Sequence, residues 1–320
     1  MSSSRTAHVV RFLFCVFCAI TLAAGVAAAV GQVEVVEDSV DLETLVLSYP
    51  RSVSSIPILA LMAEHPEDYT GTFFTDHPQA LAQLVNGETD VLATGFSVGY
   101  SRFRSVGDIV HIMTPVWGVS ALMTAEDIDS IQDLAGGVVY APFEGSPIDV
   151  YLKAILEDAG IRDQVEIEYA PFPQASALLV QGRADAAVLV EPLASKLETD
   201  GTAYRLQNLH DGWERVTGEE RSPQVSFFAT TTGIQGIESE VAVLAERLEA
   251  LVDAVAEDPA FYAEAFAEDI GFPVPVVQRA LENTLFDTPA PAETRSLIEE
   301  YTVFMDLGTP TDSFYASMNE

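Results

Sequence analysis

Cysteine is almost absent from this chain. Of 320 residues only Cys15 and Cys18 are cysteine, and both lie in an apolar run at the N-terminus. The rest of the chain has no thiol to form a disulfide, attack a substrate or ligate a metal. Lysine is as scarce, with Lys153 and Lys196 alone. Lysine and arginine together number 15 against 49 acids, a net charge of −34. A surface of that sign repels nucleic acid and anionic lipid, which excludes both as partners. No apolar run of about 18 residues follows the N-terminal one, so no second membrane-spanning segment is expected. There is no G-x-x-x-x-G-K-[ST], and no G-x-G-x-x-G after a strand, so neither a P-loop nor a dinucleotide fingerprint is present. His65, His77, His111 and His210 are scattered without H-x-H or H-E-x-x-H spacing, and no metal or other cofactor is expected.

What is present begins with an export signal. Arg5 and Arg11 form a positive n-region, Phe12 to Ile20 an apolar h-region, and Ala27-Ala28-Ala29 an A-x-A cleavage site, so residues 1–29 read as a signal peptide. Both cysteines leave with it. Phe14 and Phe17 stand immediately before them, where a lipidation signal needs small residues, so an exported protein without a lipid anchor is expected. Residues 30–42 are acidic and aperiodic and read as a linker.

The body of the chain is organised around Asp133 to Gly160. Gly137 to Ala141 is a short buried strand, broken by Pro142-Phe143-Glu144-Gly145. A helix follows at once. Ser146 has N-cap chemistry, Pro147 suits the first helical position, and Asp149 completes an S-x-x-D capping pattern. Ile148, Tyr151, Leu152, Ile155 and Ala159 form one apolar stripe, and Gly160 is a C′ stop. A strand thus delivers a helix N-terminus to the sheet's carboxyl edge, where open α/β sheets bind small ligands.

Similar units flank this one. Strand and helix patterns alternate from Thr44 to Phe103, with Pro50-Arg51-Ser52-Val53-Ser54-Ser55 as the first strand-to-helix loop. The alternation breaks at Ile109–Met113 and Val119–Met123, strand-like segments around Pro115-Val116-Trp117-Gly118. It resumes through Val190 and the helix Pro192–Leu197. Residues 207–222 read as polar and turn-rich, Gln224–Thr231 as a strand out of sequence, and the chain from Ile237 onward as helical with no further strand. Two α/β lobes solve this layout: lobe one from 43–116 and 223–320, lobe two from 117–222. They are joined by two crossings, and the C-terminal helices pack on lobe one.

One motif points elsewhere. Gly95-Phe96-Ser97-Val98-Gly99 matches the G-x-S-x-G nucleophile elbow between a strand and a helix, and Ser97, Asp185 and His210 occur in hydrolase order. No H-G-G-G segment precedes it. Asp185 falls in a helix-to-strand turn and His210 in a surface turn, so a secreted serine hydrolase is the alternative reading rather than the first.

Several short segments occur in a fixed order. They are Gly87-Glu88-Thr89-Asp90-Val91, Ile128 to Gly136 (I-D-S-I-Q-D-L-A-G), Gly145-Ser146-Pro147, Gly182-Arg183-Ala184-Asp185-Ala186, Glu191-Pro192, and Gly271-Phe272-Pro273 through Val277 to Leu281. In them the chain resembles periplasmic substrate-binding proteins of ABC importers. The nearest group is the NMT1/THI5-like, sulfonate/nitrate/taurine-binding one, of the type II periplasmic-binding fold. Gly137 stands where lysine is usual, and the frequent lipobox is missing. The resemblance implies a monomeric, non-enzymatic protein that captures a small solute between its lobes and delivers it to an ABC permease. An enzyme related to thiamine-pyrimidine synthases on the same fold is a further alternative, against which the export signal counts.

Capture would use the loops at strand ends. Lobe one offers Arg51, Ser52, Ser54, Ser55, Gly95, Phe96 and Ser97, and lobe two offers Phe143, Glu144, Gly145, Ser146 and Glu191. Trp117, at the first crossing, is placed to stack on a planar ligand. Arg51 and the helix N-termini favour a sulfonate or carboxylate. The aromatics with Glu144 and Glu191 favour a neutral or basic heterocycle, and the reading leans that way.

Overall fold

The computed structural model describes residues 43–126 and 128–316. The signal over 1–29 and the linker over 30–42 lie outside the described residues. Along the first lobe run β1 (Leu45–Pro50), α1 (Ile56–Glu64), β2 (Tyr69–Phe74), α2 (His77–Val85), β3 (Val91–Gly95), α3 (Phe96–Val106) and β4 (Ile109–Gly118). The second lobe carries β5 (Ser120–Thr124), β6 (Val138–Ala141), α4 (Pro147–Asp158), β7 (Glu166–Tyr169), α5 (Phe172–Val180), β8 (Ala186–Val190), α6 (Leu193–Thr199), β9 (Tyr204–Asn208) and α7 (Leu209–Thr217). The chain then returns with β10 (Val225–Thr230) and ends in α8 (Glu238–Glu257), α9 (Pro259–Ile270), α10 (Val274–Glu282), β11 (Leu285–Phe286) and α11 (Pro291–Phe304).

These elements form two sheets, ordered β11-β4-β10-β3-β1-β2 and β7-β6-β8-β5-β9. The bilobed α/β architecture is the one expected. In the first sheet β1, β2 and β3 are parallel, and β10 lies antiparallel between β3 and β4. In the second, β6, β7 and β8 are parallel, and β5 lies antiparallel between β8 and β9. Only Val119 separates β4 from β5. The return segment, 218–224, runs beside it: the amides of Ser222 and Gln224 donate to the carbonyls of Trp117 and Val116 at 3.2 and 3.0 Å.

Register fixes what faces this junction. The last residue of β3, Gly95, pairs with Val225, the first of β10, and β1 runs parallel to β3. The last residue of β8, Val190, pairs with Ser120, and the amide of Glu191 donates to the carbonyl of Val119 at 2.9 Å. The parallel strands of both lobes therefore bring their carboxyl ends, and the helix starts that follow, to the two crossings.

Three local expectations are corrected. Residues 207–222 are not a turn region: β9 and α7 occupy most of it. The side chain of Asn208 accepts from the N3 amide and Asp211 caps back, Leu209 and Trp213 form the buried face, and Gly218 ends the helix at φ 83°. Pro115 does not interrupt β4. Pairing with β10 slips from Val225↔Val116 to Phe227↔Met113, which puts one extra β4 residue opposite β10, and the proline sits in that bulge. A strand does follow Ile237, since Leu285 and Phe286 pair with Gly118 and Val116. Two residues carry no readable alternation; β4 supplies the template.

Apolar packing forms three clusters. Helices α1, α8, α9 and α10 cover one face of the first sheet, and α5 and α6 cover the outer face of the second. The third cluster is shared between the lobes. It joins Phe96, Tyr100 and Phe228 of the first to Tyr151, Leu152 and Trp213 of the second, with Tyr301 of α11 between and Phe314 packed on the first-lobe rings. Each such side chain contributes roughly 1.5–3 kcal/mol by leaving water. The interlobe ion pair Arg279–Glu198, at 3.2 Å with both partners partly exposed, contributes at most about 1 kcal/mol. The shared aromatic cluster thus outweighs this ion pair in holding the lobes together.

Candidate functional site

On lobe one the site begins where β1 ends. A single 3-10 turn, Val53–Ser55, precedes α1. The Ser55 hydroxyl donates to the Pro50 carbonyl at 2.6 Å and is spent on the turn. The Ser54 hydroxyl is buried and meets no hydrogen-bond partner among the described residues. Ser52 is half-buried, while Arg51 is exposed and faces away: its Nη1 donates to the carbonyl of Asp269 on α9 at 2.9 Å and its guanidinium lies 4.5 Å from the centre of the Phe73 ring. At the end of β3, Gly95 and Ser97 are half-buried, and the Phe96 amide donates to the Gln224 carbonyl at 3.0 Å.

Two of the aromatic candidates lie in the core. The Phe96 ring is enclosed by Tyr100, Tyr301 and Phe314, with centroids 5.4–6.1 Å away. Trp117 is fully buried and its Nε1–H donates to the Asp287 carbonyl at 3.0 Å. Neither ring offers a face to a ligand. Both follow the ordinary rule that a large apolar side chain beside a strand is core.

On lobe two, Phe143, Glu144 and Gly145 are exposed, with Phe143 at 61 % the most exposed aromatic of the site. Ser146 is buried and caps α4, accepting from the Asp149 amide at 3.1 Å. Asp149, also buried, accepts from the Gly145 amide at 2.8 Å, from Lys153 at 2.7 Å and from the Tyr169 hydroxyl at 3.1 Å. Glu191 is buried and internally paired. It accepts from Arg205 at 2.6 Å and from the Ser195 amide at 3.1 Å. Burial raises its pKa, and Arg205 opposes that shift.

Sequence reasoning passed over Arg205. It also bonds Glu198 and Asn208, and Glu198 reaches Arg279 across the lobes. Its only sequence signal is a lone cation in a polar stretch. Tyr151 and Gln224 were missed as well. The Gln224 side-chain Nε2 donates to the Tyr151 hydroxyl at 3.4 Å, linking α4 to the return crossing.

The hydrolase constellation does not assemble. Asp185 precedes Ala186, which pairs with Thr124, and its carboxylate accepts from the Val138 amide at 2.7 Å. His210 follows Asn208, which pairs with Ala121, and its Nε2 lies 3.6 Å from Asp211. The two stand at opposite ends of the second sheet. The second glycine of the motif has a packing role instead: a Cβ on Gly99 would lie 2.3 Å from the Phe228 ring.

Two other features lie away from the strand ends. His65, Glu67 and Asp68 place ligand-type atoms within 4.8 Å of one another, with Asp68 already paired to Arg247 at 2.6 Å. A largely apolar groove of about 360 Å³ between α7 and α11 is lined by Trp213, Val216, Leu297, Val303 and Phe304.

No family model and no curated protein matches the chain. Solved structures do. The periplasmic aliphatic sulphonate binding protein SsuA from Escherichia coli is similar at TM-score 0.66 and 21% identity, over 83% of this chain and 86% of that one. An ABC transporter structure from Parabacteroides distasonis is similar at TM-score 0.71 and 17% identity, over 86% and 99%. The alkanesulfonate-binding protein SsuA from Xanthomonas axonopodis pv. citri, bound to MOPS, is similar at TM-score 0.63 and 20% identity, over 84% and 94%. At these identities the likeness is one of fold: the chain has the two-lobed type II periplasmic-binding-protein architecture.

Proposed function

We propose that this protein captures a small organic solute between its lobes, without chemical change, and delivers it to the permease of an ABC importer. The observation that carries the reading is the junction. Parallel strands of both lobes end there, helices start there, and a single residue and one short segment connect the sheets. Strand carboxyl ends at a point where the topology switches are where α/β sheets hold ligands, and a two-strand connection is a hinge.

The contact set consists of groups not already spent on the fold. On lobe one these are Ser52, Ser54, Gly95 and Ser97; on lobe two, Phe143 and Glu144, with Gly145 holding the loop through its bond to Asp149. Arg51, Ser55, Ser146 and Glu191 shape the loops, and Phe96 and Trp117 support them from the core. Closure would bring Phe143 from solvent onto the bound solute, removing apolar surface from water and favouring the closed state only when the solute is present. The reading also takes the chain to be exported, soluble and monomeric.

The test is a thermal-shift and calorimetric screen of small solutes. A captured solute raises the melting midpoint in a saturable way and returns unchanged from the protein. Turnover of the solute, or labelling of Ser97 by a fluorophosphonate, would count for an enzyme and against capture.

A further inference from the structure

We infer that the captured solute carries no net negative charge; this rests on the capture reading and names the class of ligand for that same site. A helix N-terminus holds an anion through free amides and a positive dipole end. At α4 three of the neighbouring amides are already bonded. Pro147 has none. The Ser146 amide donates to the Phe143 carbonyl at 3.2 Å, the Asp149 amide to the Ser146 hydroxyl at 3.1 Å, and the Gly145 amide to the Asp149 carboxylate at 2.8 Å.

The last of these bonds decides the matter. Asp149 is a buried carboxylate in the first turn of α4, held by an amide, by Lys153 and by Tyr169. The start of α4 thus already holds a buried carboxylate of the protein's own. A second negative charge beside it would meet like-charge repulsion in a desolvated place.

Side-chain cations do not make up the loss. Arg51 is committed to the Asp269 carbonyl and Phe73. Lys153 is paired with Asp149, Arg205 with Glu191 and Glu198, and Arg221, on the return crossing, with Glu219, Asp287 and Glu293. The groups left open include hydroxyls, an exposed ring, the exposed Glu144 and the buried Nδ1 of His210 against Gly118, and the exposed carboxylate and hydroxyls suit an uncharged or cationic organic solute with hydrogen-bond donors. On this inference the aromatic reading rests on Phe143.

The test compares the full chain with Asp149→Asn. Melting midpoints are read against methanesulfonate, nitrate and acetate, against uracil and cytosine, and against choline and putrescine. Stabilisation of the native chain by an uncharged or cationic probe, with none from the anions, supports the inference. Saturable stabilisation of the native chain by any of the three anions overturns it and leaves capture standing. If no probe stabilises the native chain, the variant decides. Asp149→Asn should then bind methanesulfonate at least about tenfold more tightly than the native chain, and no gain would overturn the inference. Asp149→Ser keeps a short acceptor for the Gly145 amide and serves if the asparagine variant does not fold. Small-angle scattering separates the two claims: a probe that binds without contracting the protein counts against capture alone.

Discussion

Ser146 is the N-cap of α4, while Ser54 lies one residue before Ser55, the N-cap of α1, and their hydroxyls differ in what they meet. Ser146 is a structural cap, so Ser146→Ala should cost about 1 kcal/mol in urea unfolding. Ser54 has a buried hydroxyl with no partner among the described residues, so Ser54→Ala should leave stability unchanged or slightly raised while weakening solute binding about tenfold. Unchanged affinity by calorimetry would remove Ser54 from the site. His111 sets a pH limit. It is fully buried, its Nε2 is 2.8 Å from the Thr114 hydroxyl, and Phe228, Phe314 and Tyr315 surround the ring. Burial lowers its pKa from 6.5 to about 3. The unfolded chain therefore takes up a proton that the folded one refuses. The contribution is whole above pH 6.5 and is lost as pH falls toward 3, by up to about 1.4 kcal/mol per unit. Unfolding midpoints measured between pH 7 and 5 should fall less steeply in His111→Asn than in the native protein.

Helix α3 shows how a motif and a packing constraint produce the same letters. Gly99 lets the helix lie directly on Phe228 of β10. Gly99→Ala should destabilise the protein by about 1–3 kcal/mol through overpacking, and adding Phe228→Leu should recover part of the loss. An elbow glycine would show no such rescue. Helix α4 was legible from its own residues because cap, first-turn proline, apolar stripe and terminal glycine are all local. Helix α7 was not. Its cap is local too, but its short apolar face, Leu209 and Trp213, acquires meaning only from the lobe it packs into. The bulge at Pro115 and strand β11 were unreadable for a related reason: each is defined by the partner strand.

For the whole molecule, the balance between the shared aromatic cluster and the interlobe charges predicts how closure responds to mutation. Arg205 ties Glu191 beside the junction to Glu198 and, through it, to Arg279 on the other lobe. Arg205→Ala leaves the buried Glu191 uncompensated and should cost about 3–5 kcal/mol in stability. Arg279→Ala touches only the exposed end and should cost less than about 1 kcal/mol, with a deficit that shrinks in high salt. Equal losses from the two variants would show that the pairs do not form one graded chain. A bound solute should contract the molecule in small-angle scattering, and a radius that stays constant at saturation would contradict a hinged clamp.

The amino-acid sequence by itself determined the alternating strands and helices, their division between two lobes, and the local caps, because periodicity and turn chemistry act over a few neighbouring residues. It also brought the loops with Ser54, Ser97 and Gly145 to strand ends. Only the tertiary structure decided which of those groups are free. Arg51, Phe96, Trp117 and Glu191 have the chemistry of ligand contacts, yet each finds a partner distant in the chain: Asp269 for Arg51, Tyr301 for Phe96, Asp287 for Trp117 and Arg205 for Glu191. A side chain's availability depends on what the fold places against it, and that is a property of long-range packing which no local pattern encodes.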